Sequence, residues 1–148
     1  MKRIPFLVSL IILISIAVSS CAGTSPFGGP TQTPDPCSAS ELVKYAEAIE
    51  DVSRRFDDAY NLANNTSRMS LSPVIGDLQE IRRDAQDLDV PRCALDTKTN
   101  LVNYMDAIID AFLAFLAQEP DSVVSGRFST ASNYYGKYLK ALGEMSNP

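Results

Sequence analysis

The chain has 148 residues, with 13 Lys and Arg against 18 Asp and Glu, a net charge of −5, and neither His nor Trp. That length holds one ordinary domain. The absence of His excludes a His-based triad, His-ligated zinc or haem, and imidazole acid–base catalysis.

Residues 1–20 read as a targeting segment. Lys2 and Arg3 form a short basic start, and an apolar run follows from Ile4 to Val18, broken only by Pro5, Ser9 and Ser15. A run of about 15 residues suits a signal sequence and falls short of the ~20 that a spanning helix needs. It ends in Val18-Ser19-Ser20-Cys21. This stretch resembles the lipobox of bacterial lipoprotein precursors, an aliphatic residue and two small residues before Cys; Val18 stands where Leu is usual. The resemblance implies cleavage between Ser20 and Cys21, diacylglycerol on the Cys21 sulfur and an acyl group such as palmitate on its amine. Each buried CH₂ contributes ~0.8 kcal/mol and one acyl chain anchors only marginally, so two or three hold a protein stably. An ordinary signal peptide cut elsewhere, leaving Cys21 a free thiol, and an uncleaved N-terminal anchor are the competing readings.

Cleavage at Cys21 takes Lys2 and Arg3 from the 13 basic residues and none of the 18 acidic ones, for a net of −7. So acidic a domain is repelled by anionic membrane surfaces. It also lacks the basic stripe that nucleic acid requires. The resemblance implies the outer face of the cytoplasmic membrane in a single-membrane cell. In a two-membrane cell, Ala22 after Cys21, in place of the Asp of an inner-membrane retention signal, points to the outer membrane.

Residues 22–36 contain four Pro, three Gly, three Thr and one Ser, with no apolar periodicity. They read as a disordered tether, part flexible and part polyproline-like, with an average reach of ~20 Å.

Residues 37–148 read as one all-α domain. Ser38-Ala39-Ser40-Glu41 has the spacing of a capping box and opens a first helix. Leu42, Tyr45, Ile49, Val52, Phe56, Ala59 and Ala63 form its apolar stripe, and Asn64-Asn65-Thr66-Ser67 ends it. Ser72 as cap with Pro73 at the first helical position opens a second helix. Its face is Leu71, Val74, Leu78, Ile81, Ala85 and Leu88, and Val90-Pro91 closes it. A third, the most apolar, starts near Cys93, carries Leu101, Met105, Ile108, Ile109, Phe112, Phe115 and Leu116, and stops at Gln118-Glu119-Pro120. A fourth starts at Asp121 or Ser122, with Val124, Phe128, Ala131, Tyr135, Tyr138, Leu139 and Leu142 on its face and Gly143 as its stop. Short connections favour antiparallel neighbours, so the expected fold is an up-down-up-down four-helix bundle.

That topology puts Cys37, before the first helix, and Cys93, at the start of the third, at one end of the bundle. An exported chain can be oxidised, and with Cys21 lipidated only these two cysteines remain to pair. A redox or metal role needs closer spacing or further soft ligands.

Motifs for chemistry are few. Asp77, Glu80, Asp84 and Asp87 share one face of the second helix, as a cation site, a partner-binding acidic stripe or simply a solvated face. Asp106 and Asp110 lie one turn apart, but a carboxylate-bridged metal bundle also needs His. No metal or other cofactor is expected. Ser-x-x-Lys, the nucleophile elbow and the phosphate-binding loop are absent. The tyrosines are the more informative set. Tyr134, Tyr135 and Tyr138 cluster on the fourth helix, and with Asn103 and Asn133 they could line a groove for a glycan or peptide, or could be packing residues. Val90-Pro91-Arg92-Cys93 before Ile109-x-x-Phe112-x-x-Phe115 loosely resembles small helical bacterial surface lipoproteins, a likeness that implies no activity. The function expected is that of a non-enzymatic, membrane-anchored envelope module whose helical faces bind another protein. The alternative is a small-ligand or glycan binder using the Tyr-rich helix.

Overall fold

The computed structural model describes residues 34–146. The signal sequence, the Cys21 lipidation site and the tether up to residue 33 lie outside the described residues. The chain enters through a turn in which Asp35 accepts from the Cys37 amide through Oδ1 and from the Ser38 amide through its carbonyl, both at 2.9 Å. Four helices follow: α1 Ala39–Asn64, α2 Leu71–Asp87, α3 Leu95–Leu116 and α4 Asp121–Ser146. Single 3-10 turns at Arg68–Ser70 and Arg92–Ala94 lead into α2 and α3. Among the described residues there is no strand.

The helices form the expected four-helix bundle. Each packs mainly on its neighbours in chain order, α3 and α4 make the most extensive pair, and α4 closes back more lightly on α1. Ala107, Ala111 and Ala114 recur on α3 at spacings of four and three and are all buried. Side chains this small let neighbouring helices approach closely. Leu42, Ile49, Val52 and Phe56 of α1, Leu71, Val74 and Leu78 of α2, and Leu101, Met105, Ile108 and Phe112 of α3 build the core. Full burial of one such side chain contributes about 1.5–3 kcal/mol.

Cys37 and Cys93 are bonded, with Cα atoms 6.0 Å apart, tying the start of α1 to the start of α3 as the antiparallel topology requires. Beside them Thr97, almost wholly buried, donates from its hydroxyl to Met145 Sδ at 2.9 Å and pins the end of α4 to α3. Arg82 of α2 grips Asp106 of α3 with two hydrogen bonds, Nε to Oδ1 at 2.7 Å and a terminal nitrogen to Oδ2 at 2.9 Å. Arg55 pairs with Asp84 to link α1 to α2. Lys98 donates to the Leu88 carbonyl at 2.6 Å, satisfying an oxygen at the end of α2.

Several helix ends differ from the sequence expectation. Ser38 is the N-cap of α1, but its side chain makes no capping bond; its hydroxyl faces Ser40, and Glu41 is drawn to Lys44. The cap of α2 is Ser70, so Pro73 is the third helical residue instead of the first. Pro is tolerated there because first-turn amides have no intrahelical acceptor. Gly143 does not stop α4, which runs on to Ser146 because Met145 still finds a buried seat. Two residues placed on buried faces are outside: Phe115 is 42% and Leu139 47% exposed. None of the described helices is long and apolar enough to cross a membrane.

Candidate functional site

Near the disulfide Leu42 and Met145 line a depression of about 220 Å³ in the α1–α4 seam, and further along Ser53 beside Tyr138 closes that seam. In the half remote from the disulfide it opens into a hollow of about 300 Å³. Tyr104, Ile108 and Ala131, all buried, form its base. Tyr60, Phe128 and Tyr135, half-buried, form its sides, and the exposed Asn64 and Ser132 stand at its mouth.

The local sequence explains the opening. Tyr60 and Asn64 are one turn apart on α1. On α4, Phe128 and Tyr135 are two turns apart with Ala131 and Ser132 between them, so two large rings flank a gap left by two small side chains. Ring contacts fix the sides. Tyr104 lies 5.0 Å from Tyr135, and Tyr135 6.0 Å from Tyr138. Outside the lining, Phe112 of α3 lies 5.9 Å from Tyr60 and 5.7 Å from Phe128. Such offset and edge-on pairs add about 0.5–1.5 kcal/mol each beyond area burial.

Behind the base the Tyr104 hydroxyl donates to Asp57 Oδ1 at 3.3 Å. Burial pushes the Asp57 carboxyl above its ordinary range; the Tyr104 hydrogen bond opposes this and nearby Asp58 adds to it. Burial also holds the Tyr104 phenol well above its usual range, with Asp57 adding to the rise, so it stays a neutral donor. The hydroxyls of Tyr60 and Tyr135, the Asn64 amide and the Ser132 hydroxyl have no hydrogen-bond partner among the described residues.

A second, apolar hollow of about 190 Å³ adjoins the first, sharing Asn64 and Phe128 with it and adding Leu71, Phe112, Phe115 and Val124. Four large apolar side chains are exposed in the same half of the bundle, Leu62, Met69, Leu113 and Phe115, with Met69 at 96%.

The three tyrosines expected to share one groove are separated. Tyr135 lines the hollow. Tyr138 is only 2% exposed, and burial raises its pKa, with the Ser53 hydroxyl opposing. Tyr134 lies with Asn133 and Lys137 along a separate depression of similar volume, about 300 Å³, the Lys137 ammonium 5.1 Å from its ring centre. Helical rotation is the cause: consecutive residues point about 100° apart, so Tyr134 and Tyr135 cannot face one cleft. The sequence reading does not single out Asn64 and Ser132 as site residues; Phe128 packs against the core from its expected apolar face and also lines the hollow, and the aromatic–small–aromatic spacing on α4 is the available signal.

The carboxylates do not assemble. Asp77, Glu80, Asp84 and Asp87 are all exposed, and Asp84 is taken by Arg55. Asp106 is held by Arg82 while Asp110 faces solvent. Among the described residues no three of His, Cys, Asp and Glu are grouped to hold a metal ion. No protein-family model, curated protein or solved structure matches the chain.

Proposed function

We propose that the chain is a non-enzymatic lipoprotein of the bacterial envelope, anchored through Cys21, that binds a ligand at the aromatic hollow between α1 and α4. The observation that carries this reading is the hollow itself, where the Asn64 and Ser132 side chains at the mouth and the Tyr60 and Tyr135 hydroxyls on the sides have no hydrogen-bond partner among the described residues. Small-molecule sites combine an apolar lining with a few placed polar groups, and about 300 Å³ is at the lower end of their range. The anchor rests on the Val18–Cys21 sequence together with the basic, apolar segment before it. The described chain begins at the disulfide end, and the hollow lies in the other half of the bundle. A second reading, a protein partner, is favoured by the exposed Leu62, Met69, Leu113 and Phe115 in the same half.

A photo-crosslinking phenylalanine analogue placed at Ser132 of the anchored chain in intact cells tests the site. An adduct from position 132, and none from exposed Glu47 in the other half of α1, is expected. Equal labelling from both, or none from 132, contradicts the assignment.

A further inference from the structure

Asn64 and Phe128 belong to both hollows, so their eight and eight lining residues are fourteen in all. None of the fourteen carries a charge, in a chain of which 21% of residues do. An ionic ligand would find no counter-charge there, and burying it unpaired would be costly. The occupant matched by this lining is neutral, with an apolar face for the rings of Tyr60, Tyr135 and Phe128 and a hydrogen-bonding edge for the Asn64 and Ser132 side chains and the two phenols. A sugar ring has that division, with C–H groups on its faces and hydroxyls around its rim. The adjoining hollow has a different chemistry, with apolar walls of Leu71, Phe115 and Val124, and it shares Asn64 and Phe128 with the first. It suits a small apolar group carried on an amide.

We propose that the paired hollows bind an N-acetylhexosamine unit of a neutral glycan. The ring lies between Tyr60 and Tyr135, with its hydroxyls toward Ser132 and the two phenols. The acetamido group passes Asn64, and its methyl enters the apolar hollow. This inference rests on the hollow being the binding site.

Isothermal calorimetry on the detergent-solubilised full chain tests it, with N-acetylglucosamine tetramer as probe and cellotetraose, which lacks the acetamido groups, as comparison. Saturable binding of the acetylated tetramer is expected, with cellotetraose at least about tenfold weaker. Tyr135→Ala should weaken binding about tenfold through loss of one stacked ring. Ser132→Gln, an exposed change that covers the mouth, should weaken it with the fold intact by circular dichroism. Tyr134→Ala, on the other face of α4, should leave it unchanged. Equal affinity for cellotetraose overturns the acetamido assignment, and no binding of either sugar at millimolar concentration overturns the glycan inference. A position-132 crosslink to a protein, with no sugar binding, would keep the site and replace its ligand with the protein partner.

Discussion

Asp57 and Tyr104 show how one hydrogen bond behind the hollow enters the pH dependence of folding. Asp57 is raised, chiefly by burial, so its contribution is full below the ordinary Asp pKa and is lost as pH rises through the higher folded value. Asp57→Asn keeps an acceptor for Tyr104 and removes the charge. Its thermal midpoint should therefore exceed that of the native chain at neutral pH, with the gap closing near about pH 3, where Asp57 is protonated anyway. A gap that widens on acidification would contradict the assignment. Gln118 is the one non-Gly residue with positive φ among the described residues, at 57°. It occupies the left-handed position that ends α3. There the Glu119 amide bonds to the Ala114 carbonyl at 3.0 Å and the Gln118 amide to that of Phe115 at 3.2 Å. Glycine adopts this conformation without strain. Gln118→Gly relieves that strain but removes the side-chain oxygen that accepts from the Arg68 guanidinium at 2.9 Å, so a denaturant titration should show a net change within about 1 kcal/mol of zero.

Among the elements, α3 was the most legible in sequence and is the most buried. Leu101, Met105, Ile108 and Phe112 are buried as their periodicity implies. Leu101→Ala should cost about 2–5 kcal/mol by denaturation, the range for a large core residue cut to Ala. A cost below about 1 kcal/mol would mean that this position is not core. The apolar stripes of α1 and α2 were also readable, because amphipathic period survives whatever the partner. Caps were less readable. Ser-x-x-Glu spacing cannot tell that Glu41 will be taken by Lys44, nor Ser72-Pro73 that a 3-10 turn will precede the helix. The reading of Gly143 as a stop failed because tertiary packing of Met145 outweighs a weak local preference for termination. The surplus apolar residues Phe115 and Leu139 show the limit of periodicity, which marks candidates for burial without showing whether a neighbour exists to bury them.

At the scale of the molecule, the disulfide was readable because only one pair of cysteines remained and the topology brought its members together. It closes a separation of 56 residues. On the chain-entropy account that contributes roughly 4 kcal/mol. Reduction, or joint Cys37→Ala and Cys93→Ala replacement, should lower the thermal midpoint by more than about 10 °C; an unchanged midpoint would remove the bridge from the account of stability. The site was readable only in part. Tyrosine enrichment pointed to α4, but the hollow is made where α1 and α4 part over α3, a relation between helices that no single segment encodes. The proposed anchoring depends on chemistry at Cys21, and intact-mass analysis of the chain purified from the membrane fraction tests it most directly. The account predicts a mature chain that begins at Cys21, lacks residues 1–20 and carries diacylglycerol and acyl mass on that residue. A membrane-derived chain that begins elsewhere, or bears an unmodified Cys21, would contradict it.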